Sequence, residues 1–208
     1  MEPAEALRAL LKGLALGFSI AAPVGPIGVL VIRRTMTRGF RSGFTSGLGA
    51  ASADAVYGVI AAAGLTLVSD FLVRQAFWMR LLGGGFLLYL GARIFFSRPP
   101  DPDAPVPRGG SGGDYFSTFL LTLSNPMTII AFVAILGGLG AGGAFRLGAF
   151  LLVLGVFSGS ALWWLTLSAL VGALRARLTG GALVWVNRAA GAVIVAFAIA
   201  ILLGLAAG

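Results

Sequence analysis

Asp54 is the one carboxylate that falls inside a long apolar stretch of this chain, the run from Phe44 to Val68. A charged aspartate at the centre of a bilayer costs about 2.5–3.5 kcal/mol on insertion scales, so it belongs on a protein interior or beside a water-filled cavity. There it can take up and release a proton. Tyr57 stands about one helical turn further on and shares its face. Three prolines also interrupt apolar stretches: Pro23 and Pro26 in Ala22-Pro23-Val24-Gly25-Pro26, and Pro126 in Ser124-Asn125-Pro126. Proline lacks an N–H and clashes with the preceding turn, so each group breaks a helix and frees carbonyls. The helix that restarts after a break presents unpaired N–H groups and the positive end of its dipole, which suits a carboxylate. Asn125 can cap the second restart or hydrogen-bond a ligand. Plainer readings stand beside these: a kink for the prolines, and for Asp54 a structural hydrogen bond or an ion pair with an arginine of Arg33–Arg41. The candidate binding residues are Pro23, Gly25, Pro26, Asp54, Tyr57, Asn125 and Pro126, and Asp54 is also the candidate proton carrier.

Such residues need a scaffold that buries them, and composition says which kind. Of 208 residues, 58% are apolar before the 32 glycines are counted, and 11% are charged. Soluble domains carry roughly 25% charged residues. With a mean hydropathy of +0.98, too few polar side chains remain to cover a water-facing surface. Soluble enzyme, nucleic-acid module and disordered chain are excluded as whole-chain readings. The net charge of +8 reads as arginines that orient membrane spans. The chain has no cysteine and no histidine, so thiolate or imidazole metal sites and histidine bases are absent. No metal, no cofactor and no enzymatic activity are expected.

A bilayer core ~30 Å deep takes about 20 apolar residues as helix. Six stretches reach that length: Leu10–Ile32, Phe44–Val68, Phe77–Phe96, Tyr115–Gly140, Leu147–Ala173 and Leu183–Ala206. The fold class expected is an all-α membrane protein of six transmembrane helices. Arg8, Lys12 and Ser19-Ile20-Ala21 give the first stretch some likeness to a signal peptide. Its apolar run continues past two prolines to Ile32, which favours a span.

Residues 97–114, SRPPDPDAPVPRGGSGGD, form a flexible Pro/Gly-rich linker between a three-helix repeat at 1–96 and another at 115–208. The two halves resemble each other. Phe40-Arg41 recurs as Phe145-Arg146, and Trp78 and Gly84 recur as Trp185 and Gly191. Three spans per copy turn the second copy upside down, giving the inverted repeat that many secondary transporters share. In this register Ser160 falls near the repeat position of Asp54 and joins the candidate binding residues. Arginine and lysine counts favour the side holding Arg33, Arg34, Arg38 and Arg41 as cytoplasmic, with both termini outside an inner membrane crossed many times.

Other polar residues in the spans carry less. Ser46, Ser52, Ser158, Thr166 and Ser168 read as hydroxyls that bond back to their own helices. Trp163 and Trp164 read as core packing, and Trp78 and Trp185 as interface anchors. Gly13-x-x-x-Gly17, Gly43-x-x-x-Gly47 and Gly155-x-x-x-Gly159 are seams that let helices approach closely.

The run Ala22-Pro23-Val24-Gly25-Pro26, then Arg38-Gly39-Phe40-Arg41-Ser42-Gly43, then Gly47-x-Gly49 leading to Asp54, resembles the first half of the LysE/RhtB family. Asn125-Pro126 after a variable linker resembles its second half. The family's usual Pro-Gly-Pro core carries Val24 as an insertion here, and Met127 stands where a lysine is common. The resemblance implies an exporter of amino acids or similar small zwitterions across the bacterial inner membrane, with Gly25, Pro26, Asp54, Asn125 and Pro126 at its site. Proton exchange through Asp54 is the expected drive. A divalent-metal or other cation exporter is the alternative, although a lone carboxylate is a poor transition-metal site. The expected partners are a small-molecule substrate and the lipid bilayer, not nucleic acid; a homodimer is left open.

Overall fold

The computed structural model describes residues 2–22, 25–62, 75–97, 111–125, 128, 147–175 and 180–206. Among them are seven helices and no strand: α1 (Pro3–Ala21), α2 (Pro26–Arg38), α3 (Phe40–Ala62), α4 (Ala76–Phe95), α5 (Ser111–Leu123), α6 (Leu147–Arg175) and α7 (Gly180–Ala206). The first expected span is two helices. α1 stops at Ala21, and α2 restarts with Gly25 as its extended N-cap residue and Pro26 in the first helical turn, where a missing N–H costs nothing. The two axes are bent by 81°. α2 then passes into α3 through Gly39 alone, at φ 94°, a left-handed conformation that a side chain would strain.

α1 packs along α6, α3 lies between α5 and α6, and α4 pairs with α7. The short helix α2 sits against α3, α6 and α7. The core they share includes Leu30, Val31, Ala50, Leu121, Trp164 and Ile194.

Six complete spans are not what the described residues give. Leu147–Leu174 and Val184–Gly204 are long and apolar enough to cross a bilayer, α1 with α2 makes a third if the bent pair is one span, and Leu81–Phe95 is apolar but shorter. α3 has the length, but its serines, glycines and Asp54 dilute its apolar character. Parts of the second and fourth expected stretches lie outside the described residues, as do 98–110 of the linker. The linker's described ends, Ser97 and Ser111–Asp114, are joined to helices, and α5 starts four residues ahead of the expected Tyr115.

Two glycine seams meet face to face. A Cβ on Gly13 or Gly17 would strike the backbone of Leu152 or Val156, and a Cβ on Gly155 or Gly159 would strike the carbonyls of Leu10 or Leu14. Gly47 gives its space to Trp164 instead. Ordinarily Gly→Ala within a helix stabilises by roughly 0.5–1 kcal/mol. Gly155→Ala should reverse that sign, because the added methyl has only backbone to displace, and cost about 1–3 kcal/mol. Gly85→Ala, where nothing stands within 4 Å of the new carbon, should keep the ordinary sign. Thermal denaturation of the two variants in detergent checks the contrast; equal melting temperatures would remove the seam as a stabilising contact.

Candidate functional site

A small cavity of about 60 Å³ opens where α1, α2, α3, α5 and α6 meet. That is well below the ~300–1,000 Å³ of small-molecule sites, so its walls must part to admit a substrate. The first helix break supplies Gly25, Ile27 and Gly28 to its wall. The second supplies Asn125 and Thr128, with Thr122 one turn back on α5. α3 adds Ala50 and Asp54, and Trp164 of α6 closes a side with Ile20 and Ala21 of α1.

Each break leaves backbone groups outside the regular helical ladder for a local reason. The first intrahelical bond of α2 runs from Val29 N–H to Gly25 O at 3.1 Å. The amides of Ile27 and Gly28 therefore precede the helical ladder, at the positive end of the helix dipole. α5 ends at Leu123 and tightens, with Asn125 N–H donating to Thr122 O at 3.1 Å. Thr128 N–H then donates to Asn125 O at 3.1 Å.

Asp54 is 3% exposed. Its Oδ2 accepts from the Ser160 hydroxyl at 2.7 Å, and Ser160 Oγ in turn accepts from Trp164 Nε1 at 3.1 Å. A chain of donors from α6 thus orients one carboxylate oxygen of α3. Asp54 finds its partner in this serine, while the ion pairs of Arg34 and Arg38 are with Asp114.

Of the residues singled out by sequence, the cavity brings Gly25, Asp54 and Asn125 together. Pro26 is buried as the first residue of α2, and Ser160 stands behind Asp54. Tyr57 is buried too, but its hydroxyl donates to the Leu123 carbonyl, an acceptor released where α5 ends. Pro23 and Pro126 lie outside the described residues. Sequence reasoning missed Thr122, Thr128 and Trp164. The available signals were a hydroxyl one turn before Asn125 and an indole one turn after Ser160.

A second polar cluster lies away from the cavity. Arg34 is 7% exposed and Asp114 6%. Arg34 Nη1 donates to Ser46 Oγ at 2.8 Å, Asp114 O at 2.9 Å and Thr118 Oγ1 at 2.8 Å, and Nη2 donates to Ser117 Oγ at 2.8 Å. Arg34 Nε lies 3.4 Å from Asp114 Oδ1, which also accepts from Arg38 at 2.9 Å, and Ser42 donates to Oδ2 at 2.6 Å. On the opposite flank of α2, Arg33 donates to Asn187 Oδ1 at 2.9 Å and to Ser97 Oγ at 3.3 Å. Arg33 and Arg34, which follow the first expected span, are therefore helical residues that fasten α2 to α3, α5 and α7. Buried charges need partners of this kind, and the guanidinium fork supplies enough donors to reach several at once.

Comparison with known proteins follows the same lines. The profile described as LysE type translocator matches residues 18–204. A protein of Bacillus subtilis (strain 168) named "Putative amino acid efflux protein YcgF" is 32% identical over 133 residues. That match covers 62% of this chain and 62% of the relative's own length. No solved structure matches the chain.

Proposed function

Because the chain belongs to the family of LysE type translocators, we propose that it is a secondary exporter of amino acids or similar small zwitterions, driven by proton exchange. The observation that carries this reading is the cavity wall. The start of α2, the end of α5 and the acid Asp54 face one space. A zwitterion fits that arrangement in one orientation, with its ammonium at Asp54 and its carboxylate toward the amides of Ile27 and Gly28. Asp54, buried and held on one oxygen by a hydroxyl, is the group to exchange a proton against the substrate ammonium. The efflux named for the Bacillus relative points the same way.

Switching access from one side to the other follows from an inverted repeat, a reading that several contacts support. α1 packs on α6 as α5 packs on α3. A Cβ on Gly155 would meet Leu10 O and, at 2.8 Å, Leu14 N; a Cβ on Gly49 would meet Tyr115 O and, at 3.1 Å, Phe119 N. The two sets are related by a shift of 105 or 106 residues. Likewise Gly84 packs on Leu202 and Gly191 on Phe95, each partner 107 residues from its counterpart. Asp54 and Ser160, 106 apart, touch each other, as equivalent residues do only near a two-fold axis. Two three-span halves rocking about that axis would expose the cavity to each side in turn. Residues 97–114 would link them, with the arginine-rich side in the cytoplasm and the termini outside.

A cation exporter is less well supported. Hard cations take six or more oxygen ligands, several of them carboxylates, and among the described residues no group of three or more acids or other metal ligands converges.

Purified protein in liposomes tests the reading. Vesicles loaded with labelled amino acids should release them faster when an inward proton gradient is imposed, and acidify inside as they do. Release of divalent metal with no amino acid moving would overturn it.

A further inference from the structure

We propose that this site takes amino acids whose side chains carry no charge, and that the Thr122 hydroxyl is a substrate contact within it. The proposal rests on the export reading and narrows it.

Among the described residues lining the cavity Asp54 alone is ionisable. A zwitterion already engages that carboxylate through its ammonium and the start of α2 through its own carboxylate. A dibasic amino acid would bring a further cation with no second acid to receive it. A dicarboxylic one would bring a further anion next to Asp54, with no basic side chain on the described wall. Neither the Arg34 nor the Arg33 guanidinium helps, since both are engaged by partners outside the cavity. Burying an unpaired charge is costly enough that the uncharged side chain is selected by exclusion. Ile27, Ala50 and Trp164 offer it an apolar wall.

Thr122 supplies the second, independent observation. Hydroxyls in membrane helices ordinarily donate to the carbonyl one turn back. Thr35, Thr37, Ser46, Ser52 and Thr166 all do so here, and so does Thr118, one turn before Thr122 on the same helix. Thr122 does not. Thr122 is 4% exposed, and its Oγ1 has no hydrogen-bond partner among the described residues. A buried hydroxyl left unmade is unfavourable, and a guest that reaches it relieves that penalty on binding. The hydroxyl both donates and accepts, so it suits the substrate carboxylate or a polar, uncharged side chain.

The test uses the full-length protein in liposomes with labelled L-leucine, L-serine, L-lysine and L-glutamate. Leucine and serine should be exported at least tenfold faster than lysine or glutamate. Thr122→Val, which keeps the shape and removes the hydroxyl, should raise KM about tenfold, with Thr122→Ser close to the parent. Melting temperature separates contact from scaffold: with no internal partner to lose, Thr122→Val should melt at or above the parent temperature. Lysine moving as fast as leucine would overturn the charge argument while leaving amino-acid export standing. An unchanged KM in Thr122→Val, or a lowered melting temperature, would overturn the role of the hydroxyl. Export of none of the four amino acids would sink the export reading itself.

Discussion

Asp54→Asn should reduce export at least a hundredfold in proteoliposomes while the protein keeps its melting temperature. Asparagine has the same shape, and its carbonyl oxygen still accepts from the Ser160 hydroxyl that now lies 2.7 Å from Oδ2. The relay from Trp164 through Ser160 therefore stays in place and the packing of α3 on α6 is preserved. Only the charge and the exchangeable proton disappear. A hydrogen bond to a charged group is worth about 1.5–3 kcal/mol, and losing the ammonium contact alone would weaken substrate binding by about ten- to a hundredfold at ~1.4 kcal/mol per decade. Loss of the proton carrier adds to this, because no other described group in the cavity can replace it. Ser160→Ala gives the complementary result: the carboxylate remains but its orienting donor is gone, so activity should fall by a smaller factor. Proton-coupled export by Asp54→Asn at the parental rate would take the acid out of the mechanism.

The sequence displayed the cavity better than the fastenings around it. Asp54, Gly25 and Asn125 are legible because each violates a strong expectation: a charge in an apolar run, or a helix breaker in a span. The direct contact of Ser160 with Asp54 was legible only through the repeat, as a coincidence of register. Thr122 and Trp164 violate nothing locally, and a threonine or tryptophan in a membrane helix is ordinary. What sets Thr122 apart is an unbonded hydroxyl on a cavity-lining residue, which is a matter of side-chain rotation and packing and not of residue order. Asp114 and Arg34 misled for the opposite reason. Each stands where composition is polar, beside the Pro/Gly-rich segment and in the arginine cluster, so both read as solvated. Burial comes from α5 folding against α2 and α3, a contact between residues 80 apart in the chain. Asn187, 1% exposed in α7 and tied to Arg33 and Ser97, shows the same limit: a partner 154 positions away leaves no local trace.

That buried pair sets the second large effect. Asp114→Ala leaves the Arg34 guanidinium buried without its anion, a change that costs about 3–5 kcal/mol in other proteins. The lower end applies here, because the hydroxyls of Ser46, Ser117 and Thr118 and the backbone carbonyl of residue 114 still accept from the guanidinium. Arg38 should matter little, since its side chain is 49% exposed and water can replace the carboxylate. Removing both charges tests whether the loss comes from an orphaned ion or from a missing attraction. In Arg34→Met with Asp114→Leu no charge is stranded, and the serine and threonine hydroxyls retain the carbonyls they already use, Ser46 on Ser42 O and Thr118 on the residue-114 carbonyl. The double variant should therefore recover much of the stability lost by Asp114→Ala, giving a strongly non-additive cycle. Thermal denaturation in detergent measures it. Additive losses would mean that the two side chains stabilise the helices separately, and an Asp114→Ala variant as stable as the parent would mean that water reaches Arg34 in place of the aspartate.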